Sequence, residues 1–329
     1  MSYRVLATDK NMSQCIEAKE ILEKNNCELD IVDLDCINDR EKDNKRLSII
    51  DKYDAVIAAG ECWDEKYFRK VAGKLKVLSR FGVGYDRVDL KAATKYGVII
   101  TNTPGSNSAS VSELAITLML ALTRDLCFLH QGMKNGEWNQ KSTFEFGGKV
   151  LGIIGLGEIG KDLVRKISGF KVKILAYDIV KDIDFAKKYH VNYVKFNELL
   201  KNSDYITLHV PVIPATKKMI SEKELRLMKK NAFLINTARG ALIDEHDLIE
   251  ALQNKVIAGA GLDVFEHKPL EKDNLLRNLD NVILTPHIAA TTKEAIENMA
   301  IAAAENVISI LNHKKPNSIL NPEVYLKKL

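Results

Sequence analysis

The chain has 329 residues, of which 46% are hydrophobic and 28% charged, with a formal net charge of +4 at pH 7. Such values describe a globular protein long enough for two domains with a core each. Basic pairs such as Lys229-Lys230 and Lys327-Lys328 lack interleaved aromatics, which excludes a nucleic-acid footprint, and the most apolar stretch, LAITLMLAL at 114–122, is too short to span a bilayer.

The N-terminus MSYRVLATDK reads as a first strand, RVLA at 4–7, and not as a signal peptide. Further strands are predicted at LDIV (29–32), AVIA (55–58), KVLS (76–79) and VIIT (98–101). A second series follows at KVLGII (149–154), VKILAY (172–177), VNYV (191–194), YITLHV (205–210), AFLIN (232–236), AGAGLDV (258–264) and VILTP (282–286). Helical periodicity lies at 13–25, 89–96, 158–168, 244–253 and 294–311, with a long apolar helix near 108–128. Strand–helix alternation predicts an α/β protein with parallel sheets covered on both faces, and two series predict two such domains.

VIITNTPGSNSAS (98–110) and LTPHIAATTKEA (284–295) share one form: strand, proline, polar turn, helix. They read as two crossings between domains, so that the last helix returns to the first domain. The expected division is 1–102 with 288–329, and 103–287. Cys15, Cys27, Cys36, Cys62 and Cys127 form no Cys-x-x-Cys pair and no metal-ligand spacing. They are expected to be buried free thiols in a reducing cytoplasm, with no metal bound.

One stretch, KVLGIIGLGEIGKDLVRKI at 149–167, carries Gly155-x-Gly157-x-x-Gly160 between a strand and a helix, and Asp178 ends the next strand. In that context Gly155 permits a tight turn, Gly157 lets the backbone approach a pyrophosphate and Gly160 lets the helix pack on the strand. Leu156, Glu158 and Ile159 complete the phosphate-binding turn at a helix N-terminus. Asp178 is suited to the ribose hydroxyls of NAD and would repel the extra phosphate of NADP, so the expected cofactor is NAD.

SRFGVGYDRVD (79–89), TNTPG (101–105), NTARGALID (236–244), GLDVFEHKPL (261–270) and LTPHIAA (284–290) stand at strand C-termini. Together with GLGEIG they resemble the D-isomer-specific 2-hydroxyacid dehydrogenases, the phosphoglycerate dehydrogenase-like family, over nearly the whole chain. The resemblance implies two Rossmann-like doubly wound domains, a flavodoxin-like substrate-binding domain and an NAD-binding domain, with a cleft between them. It also implies hydride transfer between NAD and a small 2-hydroxy or 2-keto acid, the partner expected.

The roles implied are these. Arg239 clamps the substrate carboxylate and polarises the keto oxygen, which suits a planar, permanently charged fork. His287 is the general acid/base, since hydride addition leaves an alkoxide that needs a proton. The backbone of Val83 and Gly84 binds the carboxylate, and Asn102 is the hinge asparagine. His209, Pro211 and Thr216 lie near the cofactor, and Thr237, Ala238 and Asp263 beside the nicotinamide. The apolar helix near 108–128 with HQGMKNGEW (130–138) resembles a dimerisation segment, which implies a homodimer.

The sequence departs from the pattern at one place. Where the family has a glutamate to pair with the histidine, this chain has Lys268. A lysine close to His287 disfavours imidazolium and, by donating to one ring nitrogen, puts the proton on the other. Three readings stand. Lys268 faces solvent while Glu266 or another carboxylate partners His287; or Lys268 contacts a second anionic group on the substrate; or catalysis has weakened. The last supports a rival function, a non-catalytic NAD(H)-sensing protein of the same fold. A dehydrogenase of phosphite or formate would keep the arginine with a differently lined pocket.

Overall fold

The structure, a computed structural model, describes residues 2–32 and 39–326. The chain divides into two compact units, Met1–Asn107 with Thr291–Leu329, and Ser108–Ala290.

In the first unit β1 (Tyr3–Ala7), β2 (Cys27–Ile31), β3 (Ala55–Ala58), β4 (Val77–Arg80) and β5 (Ile99–Thr101) form a sheet in the order β2-β1-β3-β4-β5. Every pair is parallel. The central strand β3, AVIA, is buried at all four positions, which is why it reads as a continuous apolar run and not an alternating one. Leu6, Val56, Leu78 and Ile100 pack with Trp63, Tyr67 and Phe68 in one core. Asp89 caps the helix Leu90–Lys95 through the N–H of Ala92 at 2.9 Å, and Thr292 caps Lys293–Leu311 through Ala295 at 3.1 Å. After that helix the chain is tied to the edge strand. Leu320 N donates to Ile100 O at 2.8 Å, and the Asn321 side chain accepts from Ile100 N and donates to Val98 O, both at 2.8 Å. This satisfies part of an edge that would otherwise stay open.

The helix predicted at 13–25 is two pieces, a 3-10 turn Lys10–Gln14 and the helix Ile16–Lys24, parted by the non-helical Cys15. Cys15 and Cys27 are buried free thiols, and burial pushes the Cys27 pKa up to about 11. Cys62 and Cys127 are exposed, which corrects the expectation of uniformly buried thiols; Cys127 lies on a helix with no buried residue. Cys36 falls outside the described residues.

In the second unit β6 (Val150–Ile154), β7 (Lys173–Tyr177), β8 (Val191–Tyr193), β9 (Tyr205–Leu208), β10 (Phe233–Asn236), β11 (Gly259–Leu262) and β12 (Val282–Leu284) form a parallel sheet in the order β12-β11-β10-β9-β6-β7-β8. The strand order reverses between β6 and β9, the place where open α/β sheets bind ligands. Cores fill both faces. One joins Leu208, Leu234 and Leu248, the other Leu118, Leu122, Leu163 and Ile167. A Cβ on Gly261 would come within 3.0 Å of Leu118 Cβ, so the helix Ser108–Thr123 lies directly on β11. The long helix predicted near 108–128 is broken: Asp125 takes a left-handed φ of 49° and a second helix, Leu126–Lys134, begins.

Among the described residues no helix is long and apolar enough to cross a membrane.

Candidate active site

Strand register sets the site of the second unit. Tyr177, Ile154, Leu208, Asn236, Leu262 and Leu284 pair in succession across six strands. The residues one step further therefore form a row along the C-terminal edge of the sheet: Asp178, Gly155, His209, Thr237, Asp263 and Thr285. The ladder continues into that row, with Gly155 N to Tyr177 O at 2.9 Å, His209 N to Ile154 O at 2.7 Å, Asp263 N to Asn236 O at 3.0 Å and Thr285 N to Leu262 O at 2.9 Å.

At the strand-order reversal sits the glycine turn. Gly155 has φ of 97°, and a Cβ there would lie 2.6 Å from His209 O. On Gly160 a Cβ would lie 2.4 Å from Gly155 O. Both glycines are required by the fold. Gly157 meets nothing within 4 Å, so its missing side chain leaves open space beside the N-terminus of the helix Glu158–Ile167. That is the cradle a dinucleotide pyrophosphate needs. Asp178 Oδ2 accepts from Leu156 N at 2.7 Å and Oδ1 from Val180 N at 3.0 Å, which ties the turn to the end of β7. Leu156 is itself buried, and its amide is engaged with Asp178.

Two buried polar atoms in the row make no hydrogen bond, His209 Nδ1 and Thr237 Oγ1. They stand at the ends of adjacent strands. His209 is only partly buried as a residue, yet its ring nitrogens are enclosed, and desolvation lowers its pKa to about 4; the ring is neutral, with Nε2 3.0 Å from Thr207 Oγ1. Orphaned polar atoms at a strand edge are costly unless a ligand completes them. The open cradle and these atoms together fit a nicotinamide dinucleotide. The side chain of Thr216 staples the loop after β9, accepting from Ile213 N at 2.9 Å and donating to Pro211 O at 2.6 Å.

Arg239 follows β10. Asn236, fully buried, fixes its turn by donating to Arg239 O at 2.8 Å and accepting from Ala238 N at 3.0 Å. The Arg239 guanidinium donates to Ala238 O at 2.8 Å. A Cβ on Gly240 would lie 2.0 Å from the carbonyl of Phe265, so the segment after Arg239 packs backbone to backbone on the one that leads to Lys268.

Asp263 is fully buried and accepts three hydrogen bonds from one loop: Thr285 Oγ1 at 2.6 Å, Ile288 N at 2.8 Å and Ala289 N at 2.9 Å. Its expected place was beside the nicotinamide; its oxygens here brace the backbone around His287, which holds a left-handed φ of 57°. No sequence pattern signalled that brace. Lys268 Nζ is hydrogen-bonded to His287 Nδ1. Lys268 is therefore directed at the histidine, not away from it. Strand β11 ends at Leu262, so strand alternation does not bring Glu266 to His287; Glu266 Oε1 lies 4.0 Å from Lys218 Nζ.

The first unit holds the other expected residues. In the loop after β4 three successive carbonyls are anchored: Gly82 O accepts from Thr103 N at 3.1 Å, Val83 O from Asn102 Nδ2 at 2.8 Å and Gly84 O from Arg80 Nε at 3.1 Å. A trans peptide points its N–H opposite its C=O, so the N–H groups of Val83 and Gly84 face away from those anchors. Asn102 is itself held, by Ser318 Oγ at 2.5 Å and, through its carbonyl, Asn306 Nδ2 at 3.0 Å.

Residues 116–289 match the family model described as D-isomer specific 2-hydroxyacid dehydrogenase, NAD binding domain. A glyoxylate reductase from Thermococcus litoralis is 41% identical over 269 residues, 79% of this chain and 81% of that protein. The chain belongs to the D-isomer specific 2-hydroxyacid dehydrogenase family. Within it, a D-3-phosphoglycerate dehydrogenase from Methanocaldococcus jannaschii is 44% identical over 262 residues, 78% of this chain but 50% of that protein. The crystal structure of a protein from Thermus thermophilus superposes with a TM-score of 0.86 at 29% identity, covering 96% of this chain and 99% of that one. The two parallel sheets are those of the family's two-domain fold, and the chain is an NAD(P)-dependent oxidoreductase of 2-hydroxy acids. Among the described residues no cluster of histidine, cysteine and carboxylate side chains could hold a metal ion.

Proposed function

We propose that the protein uses NAD(H) to interconvert a small D-2-hydroxy acid and its 2-keto acid. One observation carries this reading: the row Asp178, Gly155, His209, Thr237 and Asp263 lines one sheet edge, with Arg239 and the Lys268–His287 pair on the loops that leave it. The relatives named glyoxylate reductase and D-3-phosphoglycerate dehydrogenase suggest a short 2-keto acid, with or without a phosphate.

When bound, the cofactor supplies or accepts the hydride. Gly155, Leu156, Gly157, Glu158, Ile159 and Gly160 would hold its pyrophosphate, and Asp178 its ribose. His209, Pro211, Thr216, Thr237, Ala238 and Asp263 would surround the nicotinamide. Arg239 would clamp the carboxylate with a bidentate fork, assisted by the amides of Val83 and Gly84 and by Asn102. His287 would carry the proton. Val83, Gly84 and Asn102 lie in the first unit, and the cofactor residues, with Arg239 and His287, in the second.

A homodimer is part of the proposal. Leu126, Phe128, Met133 and Phe144 are exposed, and Trp138 is 78% exposed, on the helix Leu126–Lys134 and the segment after it. Apolar surface of that density is typical of a contact with a second copy. We place the protein in the cytoplasm, where its free thiols would stay reduced.

The rival, a non-catalytic NAD(H) sensor, draws on the cation held at His287 Nδ1. NADH and NADPH consumption by the full chain against glyoxylate, hydroxypyruvate, phosphohydroxypyruvate and pyruvate separates the two. Turnover with NADH supports the dehydrogenase. Tight NADH binding without turnover supports the sensor.

A further inference from the structure

A cation placed on the site histidine is the least expected feature of this chain, and its consequences can be worked out from hydrogen-bond chemistry. An ammonium has three donors and no acceptor. With Lys268 charged, its hydrogen bond to His287 Nδ1 requires a lone pair on Nδ1, which leaves the ring proton on Nε2. We infer that Lys268 fixes His287 as the Nε2–H tautomer and resupplies the ring with a proton through Nδ1, so that the pair serves reduction of a 2-keto acid across neutral and mildly alkaline pH. The inference rests on the dehydrogenase reading above.

Charged groups on and next to the segments that carry the pair make the following contacts. Asp263 is occupied by Thr285, Ile288 and Ala289. Glu245 accepts from Glu266 N at 3.0 Å and from Asn274 Nδ2 at 2.8 Å. Lys218 lies 2.9 Å from Asp244 and 4.0 Å from Glu266. His267 is the neighbour of Lys268 in sequence, and Arg239 leads into the segment packed on Phe265. Lys268 and His287 are both exposed in their unit, so protons can reach them from water.

The step balances as follows. A bound reduced dinucleotide would supply the hydride for the new C–H bond, with the carbonyl π electrons moving to oxygen. The Nε2–H bond breaks and its proton forms the hydroxyl. As Nε2 gains the lone pair, Nδ1 takes a proton from the Lys268 ammonium, so no imidazolate forms. Lysine is left neutral and regains its proton from water. One proton is consumed per keto acid reduced. Oxidation needs the opposite state, neutral Lys268 with the proton on Nδ1, and that state becomes more populated as pH rises.

Lys268 is thus a positioning residue that acts through His287, and it makes a distinctive pH profile. With an imidazolium donor, reductive kcat/KM falls as pH passes the histidine range. With the lysine–histidine pair it stays level until lysine begins to lose its proton, while oxidative kcat/KM rises about tenfold per pH unit over the same span. Lys268→Gln keeps a donor for Nδ1 without a transferable proton. Lys268→Glu offers an acceptor and favours imidazolium.

The test combines the tautomer with the profile, on the full chain. The ¹⁵N shifts of the His287 ring, assigned by comparison with His287→Gln, are recorded for wild type and for both Lys268 variants. Reductive kcat and KM are measured from pH 6 to 9.5. The expected result is the Nε2–H tautomer in wild type and in Lys268→Gln. Lys268→Gln should also lose at least tenfold in reductive kcat with KM little changed. Lys268→Glu should shift the proton to Nδ1 and move the fall in reductive activity down to the histidine range. A wild-type ring protonated on Nδ1, or a Lys268→Gln enzyme with the wild-type rate and profile, would overturn the inference while leaving the dehydrogenase intact. A wild type that turns over no keto acid overturns the proton-supply step together with the dehydrogenase reading, which separates the two failures.

Discussion

Asp263 Oδ1 accepts the backbone N–H of Ile288 at 2.8 Å, one residue beyond His287. With its bonds to Thr285 and Ala289, the carboxylate grips the loop on both sides of the histidine. A left-handed φ on a non-glycine residue costs about 1–2 kcal/mol, and this grip offsets it. Asp263→Asn leaves one acceptor and puts an NH₂ where an acceptor was required. The expected cost is about 1–3 kcal/mol for a buried donor left unmade, read as a lower urea midpoint. Turnover should fall at least tenfold, because His287 is no longer held. Lost stability with an unchanged kcat would make Asp263 a purely structural brace.

The glycine turn predicts opposite outcomes at neighbouring positions. Gly157→Ala adds a Cβ that meets nothing within 4 Å, so the melting temperature should hold while NADH affinity drops at least tenfold. Gly155→Ala forces a Cβ to 2.6 Å from His209 O at a φ of 97°. It should destabilise the fold itself by about 1–3 kcal/mol. Calorimetry and NADH titration of both variants check the pair. Equal loss of stability in the two would mean that Gly157 is packed and is no cradle.

Much of this was legible in the sequence because parallel strands are buried on both faces. Runs such as AVIA and KVLGII announce themselves without alternation, and NTARG, TPHIA and GLGEIG all end at strand C-termini, where the sheet collects them. The rest depended on contacts that no spacing encodes. Nothing in LTRDLCF marks the helix break at Asp125. The helix Asp39–Ile49, DREKDNKRLSI, is so charged that no apolar stripe marks it. The sequence marks Asp263 only as the residue after β11, and the fold alone reveals that three donors from residues 285–289 converge on it. Strand alternation does not extend to Glu266, because β11 ends at Leu262.

The carboxylate of Asp178 anchors Leu156 N at 2.7 Å and carries the charge that should reject the NADP phosphate. Asp178→Asn retains one acceptor, for Leu156 N, gives up the exposed bond from Val180 N and removes the charge. The expected result is a preference for NADH over NADPH that shrinks at least tenfold in kcat/KM, with little change in melting temperature. If the ratio stays constant, discrimination comes from elsewhere in the row.

His209 makes a prediction about pH and stability. Burial lowers its pKa to about 4, against about 6.5 in an unfolded chain. The unfolded state therefore binds the proton more readily than the native state between these values. This contribution is complete above pH 6.5 and is lost progressively as pH falls toward 4, where it levels off. Its size is on the order of 2–3 kcal/mol, reduced to the extent that water reaches the ring. His209→Gln preserves a polar group toward Thr207 and cannot titrate. Its urea unfolding free energy should fall less steeply than that of wild type between pH 7 and 4. Parallel slopes for the two proteins would show that the His209 ring protonates normally and that the strand edge around it is wetter than its enclosed nitrogens imply.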